Sequence, residues 1–381
     1  MKILTVNYEL PPQGGGAGVV MFNLIDALGR GRRIKQTLLC GWDFRYGTAP
    51  VLSGVDLKLV PVTRKSIHSS GLRAVAEFLW RGGRALRKLD LSSYDIVHFN
   101  FSIPTGMLAA VIRNKPYVCS LHGIDVPGFV KEEAVLFQVF TAPINRQVLK
   151  RAARIFSPSY QIAEMVQRAC PEARVEVIPH GIYSETYLPK GVYPTLARRF
   201  VTIARLTPWK RVMLLVKTVI ELRKTITDVT LDIYGEGEQR PLIEELLRTS
   251  GATAYITLHG FTPKATLQMM LQTFDVFVLP SVSEAFGVVF LEAMAAGLPV
   301  IGYNYGGPAE VIKHGVNGIL VDADNLPGLL AVLNQLATTP HLVEILGRNA
   351  RREAVEKFSW QKISQRYYAV YEQVLAEMNK L

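Results

Sequence analysis

Short runs of Val, Ile and Leu alternate with stretches whose apolar residues recur every three to four positions, almost throughout the chain. Continuous apolar runs of strand length, each followed by a helical period, are the pattern of parallel strands covered by helices. The spacing predicts strands at Ile3–Asn7, Gln36–Gly41, Leu57–Val62, Ile96–Asn100, Tyr117–His122, Ile155–Pro158 and Val175–Pro179. A stretch rich in Tyr, Gly and Pro, from Tyr183 to Pro194, breaks the rhythm as an interdomain connection does. The alternation then resumes with Phe200–Ala204, Thr230–Tyr234, Ile256–Gly260, Val276–Pro280, Val300–Tyr303 and Gly318–Val321. The expected architecture is α/β, with two doubly wound domains over residues 1–185 and 190–361. A helical segment from Ser359 to Lys380 follows with no strand after it, and periodicity does not say which domain it covers. No repeat recurs at a period of about 20–50 residues, so a solenoid is not suggested.

Length agrees with two cores, since 381 residues exceed what one usually serves. With 49% apolar and 20% charged residues, the composition is that of a packed globular protein. The first residues lack the basic, apolar and small-residue order of a leader, and no run approaches the ~18 apolar residues of a membrane span. The expected location is the cytoplasm, with at most peripheral contact at the inner face of the membrane. Cys40, Cys119 and Cys170 are odd in number and lack a CxxC pair, which suits reduced thiols and gives no zinc site. The net charge of +11 is uneven: residues 1–190 hold 24 Lys and Arg against 14 Asp and Glu, the remainder 19 against 18. Such a bias suits an anionic partner or solubility alone. No nucleic-acid module accompanies it, so no nucleic-acid partner is expected.

Ligands of open parallel sheets sit beyond the carboxyl ends of the strands, so the residues just after each apolar run carry the chemistry. After the first strand, Glu9-Leu-Pro-Pro-Gln-Gly-Gly-Gly-Ala-Gly18 leads into a helix, offering backbone amides and a helix N-terminus to a diphosphate. It is neither GxGxxG nor a Walker A loop, which removes the main support for nicotinamide or P-loop chemistry. Arg205 directly follows Phe200–Ala204 and Lys210 follows a Thr-Pro-Trp turn, two cations able to hold a diphosphate and stabilise the charge on its departure. Glu284-Ala-Phe-Gly-Val-Val-Phe-Leu-Glu292 places Glu284 in a loop and Glu292 on the next helix, where a carboxylate can accept from both hydroxyls of a ribose. Phe286, Gly287 and Val288 supply helix-start amides between them. A helix-start carboxylate and a surface glutamate would share this spacing.

Taken together these residues resemble the retaining glycosyltransferases of the GT-B fold, glycosyltransferase family four or group one, over nearly the whole chain. Glu284 to Glu292 is similar to the family's E-x7-E motif, Ala204 to Lys210 to its G-R-L-x-x-x-K segment, and Glu9 to Gly18 to its first loop. Val177-Ile-Pro-His-Gly-Ile182, Ile233-Tyr-Gly-Glu-Gly237 and Gly306-Gly-Pro-Ala-Glu310 match three further blocks in order. The resemblance implies two Rossmann-like domains facing across a cleft, with the final helix, about 362–381, returning to the first. It implies transfer of a sugar from a UDP- or GDP-sugar, with retention and without a metal or other cofactor, to a glycan or lipid-linked acceptor. By the same resemblance Glu292 binds ribose, Arg205 and Lys210 the diphosphate, Gly15 and Gly16 approach the phosphates, and Glu284 contacts the transferred sugar. His122, in Ser120-Leu-His-Gly-Ile-Asp125, takes the position facing the donor sugar. Gly235 belongs to a donor-side block, and Gly260 and Phe261 lie near the base. In such enzymes the leaving phosphate helps deprotonate the acceptor, so no general base is assigned. Ala204 stands where the family usually has Gly, and Ala17 where members differ.

An NDP-sugar epimerase of the same fold is the alternative that the intact E-x7-E segment disfavours, and a non-catalytic partner subunit would be expected to carry damaged motifs. Asp322-Ala-Asp324 matches a metal-binding D-x-D pattern, yet it directly precedes a helix where Asp324 or Asn325 serves as an ordinary N-cap. Residues 72–89 carry Leu72, Val75, Ala76, Leu79, Trp80, Leu86 and Leu89 near helical spacing among Arg73, Arg81, Arg84, Arg87 and Lys88. Such a helix either covers the sheet with a solvated basic face or lies on an anionic membrane.

Overall fold

The computed structural model describes residues 1–30, 34–67, 69–112, 115–129 and 135–379. The chain divides into two compact units, Met1–Gly181 with Trp360–Leu381, and Ile182–Ser359.

In the first unit β1 (Lys2–Asn7), β2 (Lys35–Trp42), β3 (Val55–Pro61), β4 (Ile96–Asn100), β5 (Tyr117–Ser120), β6 (Arg154–Ser157) and β7 (Val175–Val177) form one parallel sheet, ordered β3-β2-β1-β4-β5-β6-β7. Helices α1 (Gly16–Gly29), α2 (Gly71–Lys88), α3 (Val135–Arg151) and α4 (Tyr160–Ala169) make four of the six connections. Central strands are buried on both faces, all five residues of β4 for example, which is why they read as unbroken apolar runs. The edge strand β3 keeps Asp56 and Lys58 along its length, which blunts an otherwise open edge. β5 ends at Ser120, two residues short of the sequence expectation, so His122 stands in the loop beyond the strand.

In the second unit β8 (Arg199–Ile203), β9 (Thr230–Tyr234), β10 (Ile256–Gly260), β11 (Val276–Leu279), β12 (Val300–Tyr303) and β13 (Gly318–Val321) form a parallel sheet ordered β10-β9-β8-β11-β12-β13. It is covered by α5 (Val212–Arg223), α6 (Arg240–Ser250), α7 (Lys264–Met270), α8 (Val288–Ala295), α9 (Gly307–Val311), α10 (Leu326–Thr338) and α11 (Leu342–Lys357). Side chains alternate across the pleat. Phe200, Val276 and Val278 pack with Leu215, Val219 and Leu333 on one face, while Val201, Phe277 and Leu279 pack with Phe290, Leu291 and Met294 on the other. Strand order reverses between β1 and β4 in one sheet and between β8 and β11 in the other, the crevices where such sheets take ligands.

The last helix, α12 (Trp360–Met378), packs against α1 of the first unit. Its Tyr371 hydroxyl lies 2.7 Å from His98 Nδ1, whose Nε2 lies 2.7 Å from the Ser120 hydroxyl. Glu377 pairs with Arg154 and Arg174 beside β6 and β7. At the helix start, Trp360 lies so near Gly181 that a Cβ there would sit 2.5 Å from the indole. Lys380, the limit of the helical segment read from the sequence, is outside the described residues. The three cysteines are buried free thiols.

Burial pushes His98 and His180 down to about 3 from an ordinary 6.5, and pushes Asp125 up to about 6. The unfolded chain therefore binds more protons at both histidines between pH 6.5 and 3, and stability falls as pH falls through that window. By pH 5 each histidine costs about 2 kcal/mol, while Asp125, which holds its proton more tightly when folded, offsets about 1 kcal/mol. Acidification from pH 7 to 5 is thus expected to lower Tm, with a net proton uptake on unfolding. A Tm unchanged over this range would contradict the burial of these rings.

Candidate functional site

In the second unit Arg205, Lys210 and Glu284 lie on the loops after β8 and β11, at the switch point. β8 delivers Arg205, which is exposed and has no ion pair among the described residues. Its backbone is held from below by the β9 loop: Ala204 N–H donates to Tyr234 O (3.0 Å) and Leu206 N–H to Glu236 O (2.9 Å). This close approach needs glycine. A Cβ at Gly235, with φ of 137°, would lie 1.9 Å from Ala204 O, and one at Gly237 would lie 2.4 Å from Leu206 O. Gly235 N–H in turn donates to Gly260 O at 2.8 Å, joining the β9 and β10 loops.

The turn Pro208–Lys210 brings Lys210 to the β11 loop, where its ammonium pairs with the Glu284 carboxylate and both side chains are largely shielded from solvent. Val282 N–H donates to Trp209 O at 2.9 Å, fixing the two loops together. Gly307 sits directly beneath: its N–H donates to Glu284 O (3.2 Å), and a Cβ there would fall 2.3 Å from Phe286 Cα. The Gly306–Glu310 block thus sets the height of the Glu284–Gly287 loop. Gly287, at φ of 87°, opens α8 without a side-chain cap, so no side chain covers the first amides of the helix. One turn further on, Glu292 pairs with Lys264 Nζ at 2.9 Å. Burial and the Glu292 charge push the Tyr187 phenol well above its usual range. Phe261, just past β10, is 65% exposed.

In the first unit the glycine loop wraps around an acid. Glu9 is buried, and its carboxylate accepts from Gly15 N–H (3.2 Å) and Gly18 N–H (2.9 Å). Two of the amides that the sequence offers to a phosphate are therefore engaged by a residue of the same loop. Space remains above: a Cβ on Gly15 or Gly16 would meet nothing within 4 Å. His122 lies half-buried between Phe101 (ring centroids 4.8 Å apart) and His180 (5.5 Å, stacked). Its backbone N–H donates to Asp125 Oδ1 at 3.0 Å, and its Nε2 lies 2.6 Å from Asn100 Oδ1. Asn100 Nδ2 donates to Asn7 Oδ1 (3.0 Å), and Asn7 Nδ2 to Glu9 O (2.5 Å). Burial, then the neighbouring rings of His180 and His98, push His122 well below its ordinary value.

Sequence reasoning assigned no role to Asn7, Asn100, Glu9 or Lys264. The signal for the asparagines was available, since both are polar residues closing apolar runs on the two strands that flank the switch point. Among the described residues no group of three or more His, Cys, Asp or Glu is arranged to hold a metal ion. Asp324 of the D-x-D pattern is bound by Arg211 at 2.6 and 3.0 Å, and Asn325 caps α10 by accepting from Gly328 N–H.

Residues 14–186 match the family model described as Glycosyltransferase Family 4, and residues 187–353 the model described as Glycosyl transferases group 1. Alpha-maltose-1-phosphate synthase of Mycobacterium tuberculosis is 28% identical over 99% of this chain and 100% of its own length. Alpha-monoglucosyldiacylglycerol synthase of Acholeplasma laidlawii is 28% identical over 76% of each chain. Among solved structures, sucrose-phosphate synthase from Thermosynechococcus elongatus superposes with a TM-score of 0.82 at 19% identity, covering 99% of this chain and 100% of that one. An Anabaena protein, HepE, in complex with UDP, gives 0.74 at 20% identity over 98% and 100%.

Proposed function

Because the chain belongs to the group 1 glycosyl transferases of Glycosyltransferase Family 4 and has their GT-B fold, we propose that it transfers a hexosyl group from a UDP- or GDP-sugar to a glycan or lipid-linked acceptor, with retention and without a metal. The observation that carries the reading is the Lys210–Glu284 pair set beside the uncapped start of α8, with Glu292 one turn along. Arg205 and Lys210 take the diphosphate and supply the positive charge that its departure requires. Glu292 accepts from the ribose hydroxyls in place of Lys264, and Glu284 from a hydroxyl of the transferred sugar. The C1–O bond to the β-phosphate breaks as the acceptor oxygen bonds to C1 on the same face. The acceptor proton passes to a departing phosphate oxygen, so no side chain need serve as general base.

A calorimetric and thermal-shift screen of UDP, GDP, ADP and their sugars, with and without EDTA, tests this. Selective stabilisation by one nucleotide that EDTA leaves unchanged is the expected result. Loss of binding in EDTA would overturn the metal-free mechanism, and no binding by any nucleotide would overturn the catalytic reading in favour of a partner subunit.

The acceptor side of the proposal extends to an anionic membrane. α2 turns Ala74, Phe78, Gly82 and Leu86 inward and leaves Leu72 (76% exposed), Ala76 and Trp80 (67%) on a second, outward stripe, with Arg73, Arg84, Arg87 and Lys88 around it. No single helix among the described residues is long and apolar enough to cross a membrane, so this contact is peripheral. Trp80→Ala with Arg84→Ala is expected to weaken binding to phosphatidylglycerol vesicles about tenfold or more while leaving Tm unchanged. Equal binding by the variant and parent would assign the stripe to solvent.

A further inference from the structure

We infer that Asn100, backed by Asn7, is a positioning residue that holds His122 as the Nε2–H tautomer, so that Nδ1 meets the donor only as a hydrogen-bond acceptor. The inference rests on the proposed function together with the position facing the donor sugar that the family resemblance implies for His122, and it adds which kind of group that ring can recognise.

The direction of the chain is fixed at its far end by backbone atoms, which have no choice of role. Glu9 O can only accept, so the Asn7 atom 2.5 Å from it is the amide nitrogen. Glu9 N–H can only donate, and the Asn7 atom it faces, at 3.4 Å, is the oxygen. With Asn7 pinned, the Asn100 atom 3.0 Å from Asn7 Oδ1 must be Nδ2. Asn100 Oδ1 then faces His122 Nε2 at 2.6 Å, and only a protonated Nε2 avoids opposing two lone pairs at that separation. Both asparagines are fully buried, so no solvent is at hand to supply another pattern.

The other ring nitrogen is left with its lone pair. Among the described residues no hydrogen bond reaches His122 Nδ1, and it is not a buried orphan. The groups facing the ring are His180, stacked on it, Phe101, and Asp125, whose carboxylate is occupied by the His122 backbone N–H and by Ser102. None supplies a second carboxylate to draw a proton onto Nδ1. The ring therefore accepts from a hydroxyl or an amide N–H of the sugar. It has no proton to offer a phosphate oxygen or a sugar carboxylate, and it disfavours a donor that presents a carboxylate there.

The test is histidine 15N NMR of the ligand-free full chain at pH 7, with the His122 signals identified by their loss in His122→Gln. A pyrrole-type Nε2 and a pyridine-type Nδ1 are expected. Asn100→Leu, which removes the acceptor, should shift that pattern toward mixed or Nδ1–H forms. If Asn100→Leu fails to fold, Asn7→Leu removes the lock one step further back and should give the same drift. A pyridine-type Nε2 in the parent protein, or a pattern unmoved in whichever leucine variant folds, would overturn the inference. Since the reading needs no nucleotide, failure of donor binding in the screen would leave this outcome separate.

Discussion

Replacing Lys210 by Ala is expected to lower kcat by about 10²–10³-fold, the magnitude associated with losing one preorganised group that stabilises developing charge. Lys210 is held by the Glu284 carboxylate at the carboxyl edge of the second sheet, so that pair is charge-balanced before any donor arrives. On the proposed reading, a diphosphate brings the negative charge that the ammonium then shares with Arg205. Once Lys210 is gone, the Glu284 carboxylate stays in place, largely shielded and without its partner, and repels the leaving group. Steady-state kinetics separates the two possible roles. A fall in kcat with little change in KM places the ammonium on the departing phosphate, and a rise in KM alone would confine it to ground-state binding. Lys210→Arg keeps the charge and should retain more activity than Lys210→Ala.

Gly235→Ala is expected to be the most destabilising single-atom-scale change in the second unit, by about 3–5 kcal/mol, because two costs combine. The backbone there sits at φ of 137°, and the added Cβ would lie 1.9 Å from Ala204 O. The strand end that carries Arg205 must then move away from the β9 loop, and donor binding should go with it. Gly15→Ala provides the contrast, since its Cβ would meet no atom within 4 Å and Tm should change little. If activity nonetheless falls in Gly15→Ala, the space above that loop belongs to a ligand. Thermal unfolding with nucleotide titration on both variants reads the two effects apart.

These glycines illustrate what was legible in the sequence and what was not. The thirteen strands among the described residues stand where apolar runs predicted them, to within about two residues at their ends, and the central ones, buried on both faces, leave the most unbroken signature. The fold and its family follow from that rhythm and from six ordered blocks. Less was visible where meaning depends on a partner distant in sequence. The amides of the first loop looked bare, yet Glu9 reaches back to Gly15 and Gly18. Gly235 read as a donor-side residue and Gly307 only as part of a family block, and their geometry adds that each lets one loop lie against another. On α2 Leu86, counted in the sequence with Leu72 and Trp80, instead turns inward with Phe78. Gly82 and Gly83 belong to the inward stripe and pack near Leu108, but a glycine adds nothing to an apolar count.

α12 completes a unit whose other parts lie before Gly181, with the whole of the second unit intervening in sequence. During synthesis at about 5–20 residues per second, the first unit must wait on the order of 10–40 s after its sheet has emerged before Tyr371 and Trp360 arrive. Throughout that interval His98 and the β6 side of the sheet lack the covering that α12 gives them. The unit made first is therefore the one finished last. A nascent chain that has emerged only as far as Ser359 would hold a finished second unit and an open first one, and that open face is where a holding chaperone would find its client.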